Sequence, residues 1–179
     1  IIEKRVDTFE LTDIGKVVSK LSCGIRAGIF VAHSIEYDKQ LNIKNKDKYF
    51  FYVALIAAWI DNSRSIFLHI SKKYNESQEE FIKRKDYLNS LQTPFALDDC
   101  LKTFLYVWTE SNYEKSLFEW CNDNGIFFRT LQDINRAQQD IIRSLNSILD
   151  IKVKIPKNIE PKSIDIIEDI YDMVIQQLE

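Results

Sequence analysis

The stretch Phe128–Leu149, FRTLQDINRAQQDIIRSLNSIL, decides the fold. At 100° per residue, with Arg129 set to zero, Leu131, Ile134, Ile141, Ile142, Leu145, Ile148 and Leu149 fall between about 100° and 220°. Arg136 and Arg143 fall at about 340° and 320°, and Gln132, Gln139 and Asn146 at about 300°, 280° and 260°. One side is apolar. The other carries three arginines interleaved with three side-chain amides. The spacing predicts one long amphipathic helix over these residues, and its row of polar groups spans about 25 Å at 1.5 Å per residue.

The segments around it have the same period. Thr12 reads as a helix N-cap with Asp13 in the first turn, ahead of apolar positions at Ile14, Val17, Val18 and Leu21. Gly24 interrupts, and a second helix is expected over residues 25–38. Residues 42–48 read as a polar loop and 49–60 as a buried helix. The latter is the longest apolar run, at 12 residues; crossing a membrane takes about 20. Residues 65–72 suit a short helical or extended piece, and 72–90 a charge-rich helix. Pro94 marks a break, and Asp98-Asp99 opens a helix through Leu101, Phe104, Leu105 and Trp108. A short helix over 116–122 stops near Gly125. Residues 150–161 hold two of the three prolines and read as a linker before a last helix over 163–178. The fold class is mainly α, a helical bundle.

Composition narrows the function. With 179 residues, a net charge of −3 and only four glycines, the chain is neither a strongly basic nucleic-acid module nor a turn-rich β fold. It begins Ile1-Ile2-Glu3, with no initiator Met and no signal peptide in view, and reads as a fragment. Cys23, Cys100 and Cys121 are scattered and odd in number, and His33 and His69 lie near no Cys cluster. Neither a zinc site nor a disulfide framework is expected, and a reducing, cytoplasmic compartment suits the cysteines. No Gly-x-x-x-x-Gly-Lys-Ser/Thr loop and no nucleophile–base spacing occurs, so no catalytic residue, metal site or cofactor site is assigned.

The arginine and amide row remains. Guanidinium and amide groups are planar and rich in donors, suited to phosphate oxygens and base edges. Arg129, Gln132, Arg136, Gln139 and Arg143 are therefore the candidate nucleic-acid contacts. The competing reading is a plain solvated face, with Asp133 and Asp140 each pairing with the arginine four residues before it. Elsewhere, Lys83-Arg84-Lys85 reads as a solvated helix face, and Trp59, Trp108 and Trp120 as core.

The order of blocks resembles a known family. Phe9-Glu10-Leu11-Thr12-Asp13-Ile14-Gly15-Lys16 looks like the segment closing the winged helix of DEAH/RHA-type DExH helicases. Residues 20–37 and 49–67 are similar to the helices that follow there, and 99–108 to a D-x-L-x-x-L-x-V block. Trp120-Cys121-Asn122-Asp123-Asn124, then Arg129-Thr130-Leu131, resembles WC-x-x-N…R-[SA]-L. Residues 136–145 resemble the Arg-rich continuation. The family's usual LPLDP stands here as Leu21-Ser22-Cys23-Gly24-Ile25, without its prolines.

The resemblance covers about residues 9–150 and implies the helicase-associated, or ratchet, helical domain over 23–150. Residues 1–22 would end a winged-helix domain, and 151–179 would be a linker and helix leading to an absent OB-fold. Ile, Lys and Asn supply 53 of the 179 residues. Together with the divergence, that bias suits a large DNA virus, of poxvirus NPH type, or an AT-rich parasite. The implied parent is an ATP-dependent helicase that unwinds RNA, or DNA, 3′ to 5′. ATP and Mg would be held by RecA-like domains of the same chain, and none by this fragment. Single-stranded RNA or DNA and those RecA-like domains are the implied partners, with no membrane. The alternative is a protein–protein interaction module that uses the acidic surface and residues 72–90, with no nucleic-acid role.

Overall fold

Residues 49–58, YFFYVALIAA, are apolar on every side, and such a helix needs neighbours on every side. In a computed structural model of the protein, which describes residues 11–41, 43–62, 65–96, 100–112 and 116–153, it has them. The described elements are α1 (Asp13–Val18), α2 (Ile25–Leu41), α3 (Lys46–Asp61), α4 (Gln78–Gln92), a 3-10 turn (Thr93–Phe95), α5 (Cys100–Ser111), α6 (Leu117–Asp123) and α7 (Phe128–Leu149). Every residue of α3 from 49 to 58 is buried. Burying each of Phe50, Phe51, Leu55 and Ile56 contributes up to about 2–3 kcal/mol, so α3 is the axis of the core.

Helices α2 and α7 flank α3. Aromatic contacts join it to α5: Trp59 stacks on Phe104 at 5.6 Å and Phe51 meets Trp108 at 6.0 Å. Helix α1 leans on α2, and α6 sits between α5 and α7. The protein is mainly helical, a bundle around α3. The described residues contain no strand, only an isolated antiparallel bridge between Phe67 and Ile126.

The boundaries follow local chemistry. Thr12 caps α1 as expected, accepting from the Gly15 amide at 3.1 Å. Asn45 caps α3, so that helix starts inside the stretch the sequence suggested as loop. Helix α2 runs three residues past its expected end at 38. At Gly24 the chain passes so close to the end of α3 that a Cβ would collide with Asp61 Oδ1. The Asp61 carboxylate there accepts the Gly24 amide at 2.8 Å, placing a negative charge at the N-terminus of α2. Ser77 and Glu80 form a full capping box at the start of α4. Residues 65–68 are extended, not helical: Phe127 N–H donates to the Ile66 carbonyl (2.7 Å) and Leu68 N–H to the Gly125 carbonyl (2.9 Å). The expected early strand, Asp98-Asp99, the linker beyond 153 and the helix over 163–178 lie outside the described residues.

Candidate nucleic-acid interface

Helix α7 occupies the residues its periodicity predicts, and its two faces separate as the sequence requires. Leu131, Ile134, Ile141, Ile142 and Leu145 are buried, while Ile148 and Leu149 pack half-buried against the core. Two polar side chains lock the helix in place. Gln138, which the sequence reading passed over, is buried and donates to the Phe51 carbonyl on α3 at 3.3 Å. Asn135 Oδ1 accepts from Trp108 Nε1 on α5 at 3.0 Å. The buried Gln138 amide is held because an unpaired one would be costly, and the half-buried Asn135 adds a second tie.

With that side fixed, the opposite side must face out. Arg129, Arg136, Gln139 and Arg143 are exposed, and Gln132 is half-buried. Arg129 and Arg143 lie 14 residues apart, a rise of about 21 Å. The bundle therefore brings all five sequence-predicted residues onto one outward row. Asn146, the sixth member of the polar stripe, is diverted: its Oδ1 accepts from the Val153 amide at 2.8 Å and ties down the chain after the helix. Asp150 turns the backbone there with φ +51°.

The ion pairing differs from the solvated-face expectation. Asp140 accepts not from Arg136, four residues back, but from Arg143 Nη1 three residues ahead, at 2.7 Å. Among the described residues neither Arg129 nor Arg136 forms an ion pair. Phe127 caps α7 with no side-chain hydrogen bond, so the positive end of the helix dipole lies next to Arg129 without a neutralising carboxylate in the first turn.

The turn that delivers α7 is built by the Trp120–Asn124 block. Trp120 packs edge-on against Phe95 at 5.5 Å, and Cys121 is buried. Asn124 Nδ2 donates to the Trp120 carbonyl at 2.8 Å, closing α6. Gly125 follows at φ +65°, where a Cβ would lie 2.9 Å from Leu88 and 3.1 Å from Gln92. Gln92 Nε2 donates to both the Gly125 and Leu68 carbonyls, at 2.7 and 2.9 Å. So the motif sets the direction in which α7 leaves.

The other charged cluster is spoken for. Arg84 is not a solvated member of a basic run; it donates through Nε and Nη2 to Glu76 (2.8 and 2.7 Å) and to the Ser71 carbonyl (2.9 Å). Arg84 and the Lys73 amide hold the Glu76 carboxyl down at about 2. Burial pushes the Cys121 thiol up to about 11, and burial with the nearby Asp61 charge does the same for Cys23. The three cysteines are free. Among the described residues no group of three or more His, Cys, Asp or Glu could hold a metal, and no helix is long and apolar enough to cross a membrane. No protein-family model and no curated protein sequence matches the chain.

Proposed function

We propose that this chain is the strand-contacting helical accessory domain of a DEAH/RHA-type DExH helicase, and that the outward row on α7 grips the sugar–phosphate backbone of a single strand. The observation that carries this reading is the shared exposure of Arg129, Arg136 and Arg143 on one helix face, with no ion-pair partner for the first two among the described residues. Guanidinium groups spaced every seven residues, about 10.5 Å apart, match a backbone that presents a charge every nucleotide and is followed over several of them. Gln132 and Gln139 add donors and acceptors that tolerate any base sequence.

In this reading the residues before 23 complete a winged helix, and the RecA-like domains of the same chain bind ATP and Mg. This chain's own residues do not fit the nucleotide. Its four glycines stand at 15, 24, 28 and 125, none in a phosphate-cradling loop, so no step of hydrolysis is assigned here. The domain's contribution is to hold the strand while the motor moves, 3′ to 5′, on RNA or DNA inside the cell. The test is unwinding by the full-length parent carrying Arg136→Ala and Arg143→Ala. Loss of unwinding with ATPase activity retained supports the proposal; normal unwinding with normal strand affinity contradicts it.

A second reading has an observation of its own. Helix α4 contributes no buried residue, and Tyr74, Ile82 and Tyr87 are exposed, Tyr74 completely. Exposed aromatics beside a docked helix suit a protein partner. Co-purification of a partner that Tyr74→Ser with Tyr87→Ser abolishes, together with no strand affinity, favours this interaction module over the helicase reading.

A further inference from the structure

We infer that the cleft between the C-terminal half of α7 and the α1–α2 connection is a phosphate-binding subsite, through which a bound strand leaves the α7 row. The inference rests on the strand-contacting reading and extends it to residues from a second element. The cleft has a volume of about 480 Å3 and is lined by Lys20, Arg143, Ser144, Ser147 and Ile148.

Its chemistry is one-sided. The lining carries two cations, hydroxyls and one aliphatic side chain, and no carboxylate. Lys20 forms no ion pair among the described residues. Arg143 meets Asp140 through Nη1 alone, and a guanidinium has five N–H donors, so others remain for a second acceptor. The Ser144 hydroxyl is within 3.1 Å of the Asp140 carbonyl, to which it donates, and 3.2 Å from the Ser22 hydroxyl. That contact, with Leu21 buried beneath, holds the connection and therefore Lys20 against α7. Asp140 offsets one of the two cations, which leaves about one net positive charge for one phosphodiester. The volume exceeds a phosphate and accommodates a sugar, for which Ile148 offers an apolar surface.

A cleft of nearly equal size, about 470 Å3, shows the contrast. It is lined by Lys73, Asn75, Glu76, Glu80 and Arg84, and there the guanidinium is engaged by Glu76 while a second carboxylate stands beside it. Its two cations are matched by two carboxylates, so that cleft has no positive charge left over for an anion. The subsite at Lys20 lies near the negative end of the α7 dipole, which opposes phosphate binding. Binding there consequently depends on both cations, so removing one should be felt.

The experiment uses the 179-residue chain, 15N-labelled, with two probes: inorganic phosphate and a 5′-hydroxyl decauridylate. The decauridylate should shift backbone signals of Lys20 and Ser147 together with those of α7. Lys20→Gln, at an exposed position that leaves the fold intact by circular dichroism, should weaken decauridylate binding about five- to tenfold. It should also lower the slope of log affinity against log salt by about 0.7. Binding that Lys20→Gln leaves unchanged, with no shift at Lys20 or Ser147, overturns the subsite while the α7 row stands. Shifts at Lys20 and Ser147 from inorganic phosphate, without decauridylate binding, mean the cleft is an anion site but overturn its use by a strand. No shift from either probe overturns both.

Discussion

Arg143 reaches back one turn to Asp140, at 2.7 Å, and in doing so leaves Arg136 without the carboxylate that its i,i+4 neighbour offered in the sequence. The pair is exposed and contributes little to stability. Its effect is on charge placement: Asp140 sits inside the polar row and partly neutralises it. Asp140→Asn should therefore tighten single-strand binding about three- to fivefold at low salt, and the gain should fade as salt rises. Fluorescence anisotropy at two salt concentrations measures this. An unchanged affinity places the strand elsewhere.

Gly125 is held in the left-handed region at φ +65°, with Leu88 and Gln92 where a side chain would be. Gly125→Ala should cost about 2–4 kcal/mol in denaturant unfolding, combining backbone strain of about 1–2 kcal/mol with the displaced Gln92 hydrogen bonds. Because the turn aims α7, the variant should also lose strand affinity. A cost under 0.5 kcal/mol would show that the turn re-forms without those contacts.

Glu76 anchors the loop before α4, and its carboxyl is lowered from 4.5 to about 2 by hydrogen bonds from Arg84 and from the Lys73 amide. For a lowered carboxyl, the stabilisation is complete above the unfolded value and is lost as pH falls through the folded one. The anchor should weaken between pH about 4.5 and about 2, with no change above pH 5. An NMR titration of the Glu76 side-chain carboxyl carbon should give a midpoint near 2, moving towards 4.5 in Arg84→Gln. A wild-type midpoint already near 4.5 contradicts the anchor.

The three thiols should separate by rate. Cys23 and Cys121 are raised to about 11, whereas Cys100 is exposed at the start of α5. Only thiolates alkylate, so at pH 7.5 iodoacetamide should modify Cys100 first, with the other two slower by at least about tenfold. Peptide mapping of the first-labelled cysteine reads this out directly. Early modification of Cys121 would mean that the packing of α6 opens.

What the sequence revealed and what it hid divide along one physical line. Helix α7 could be read to its ends because its apolar positions keep a helical period through six turns, and α3 because it is apolar all round. Thr12 could be read as a cap because the cap contact is only three residues long. Features that depend on distant partners could not be read. Gln138 has the composition of a surface residue, yet its amide is buried against α3. The 65–68 segment gave no clear period because its pairing partner is at 125–127. Arg84 looked solvated beside Glu79 and Glu80, but its partner is Glu76, eight residues back. The candidate row itself was visible at Arg129, Gln132, Arg136, Gln139 and Arg143. Lys20 was not, because it comes from another element.

The central claim is that the outward face of α7 holds an unpaired strand. Anisotropy of a fluorescein-labelled single-stranded RNA, titrated with the 179-residue chain and with Arg129→Gln/Arg136→Gln over a range of salt, tests it most directly. The wild type should bind with a log–log salt slope of about −2, as three phosphate contacts require, and the double variant should bind at least about tenfold more weakly with a slope nearer −0.7. Equal affinities and equal slopes for the two proteins, or no binding by the wild type at low salt, would contradict the account.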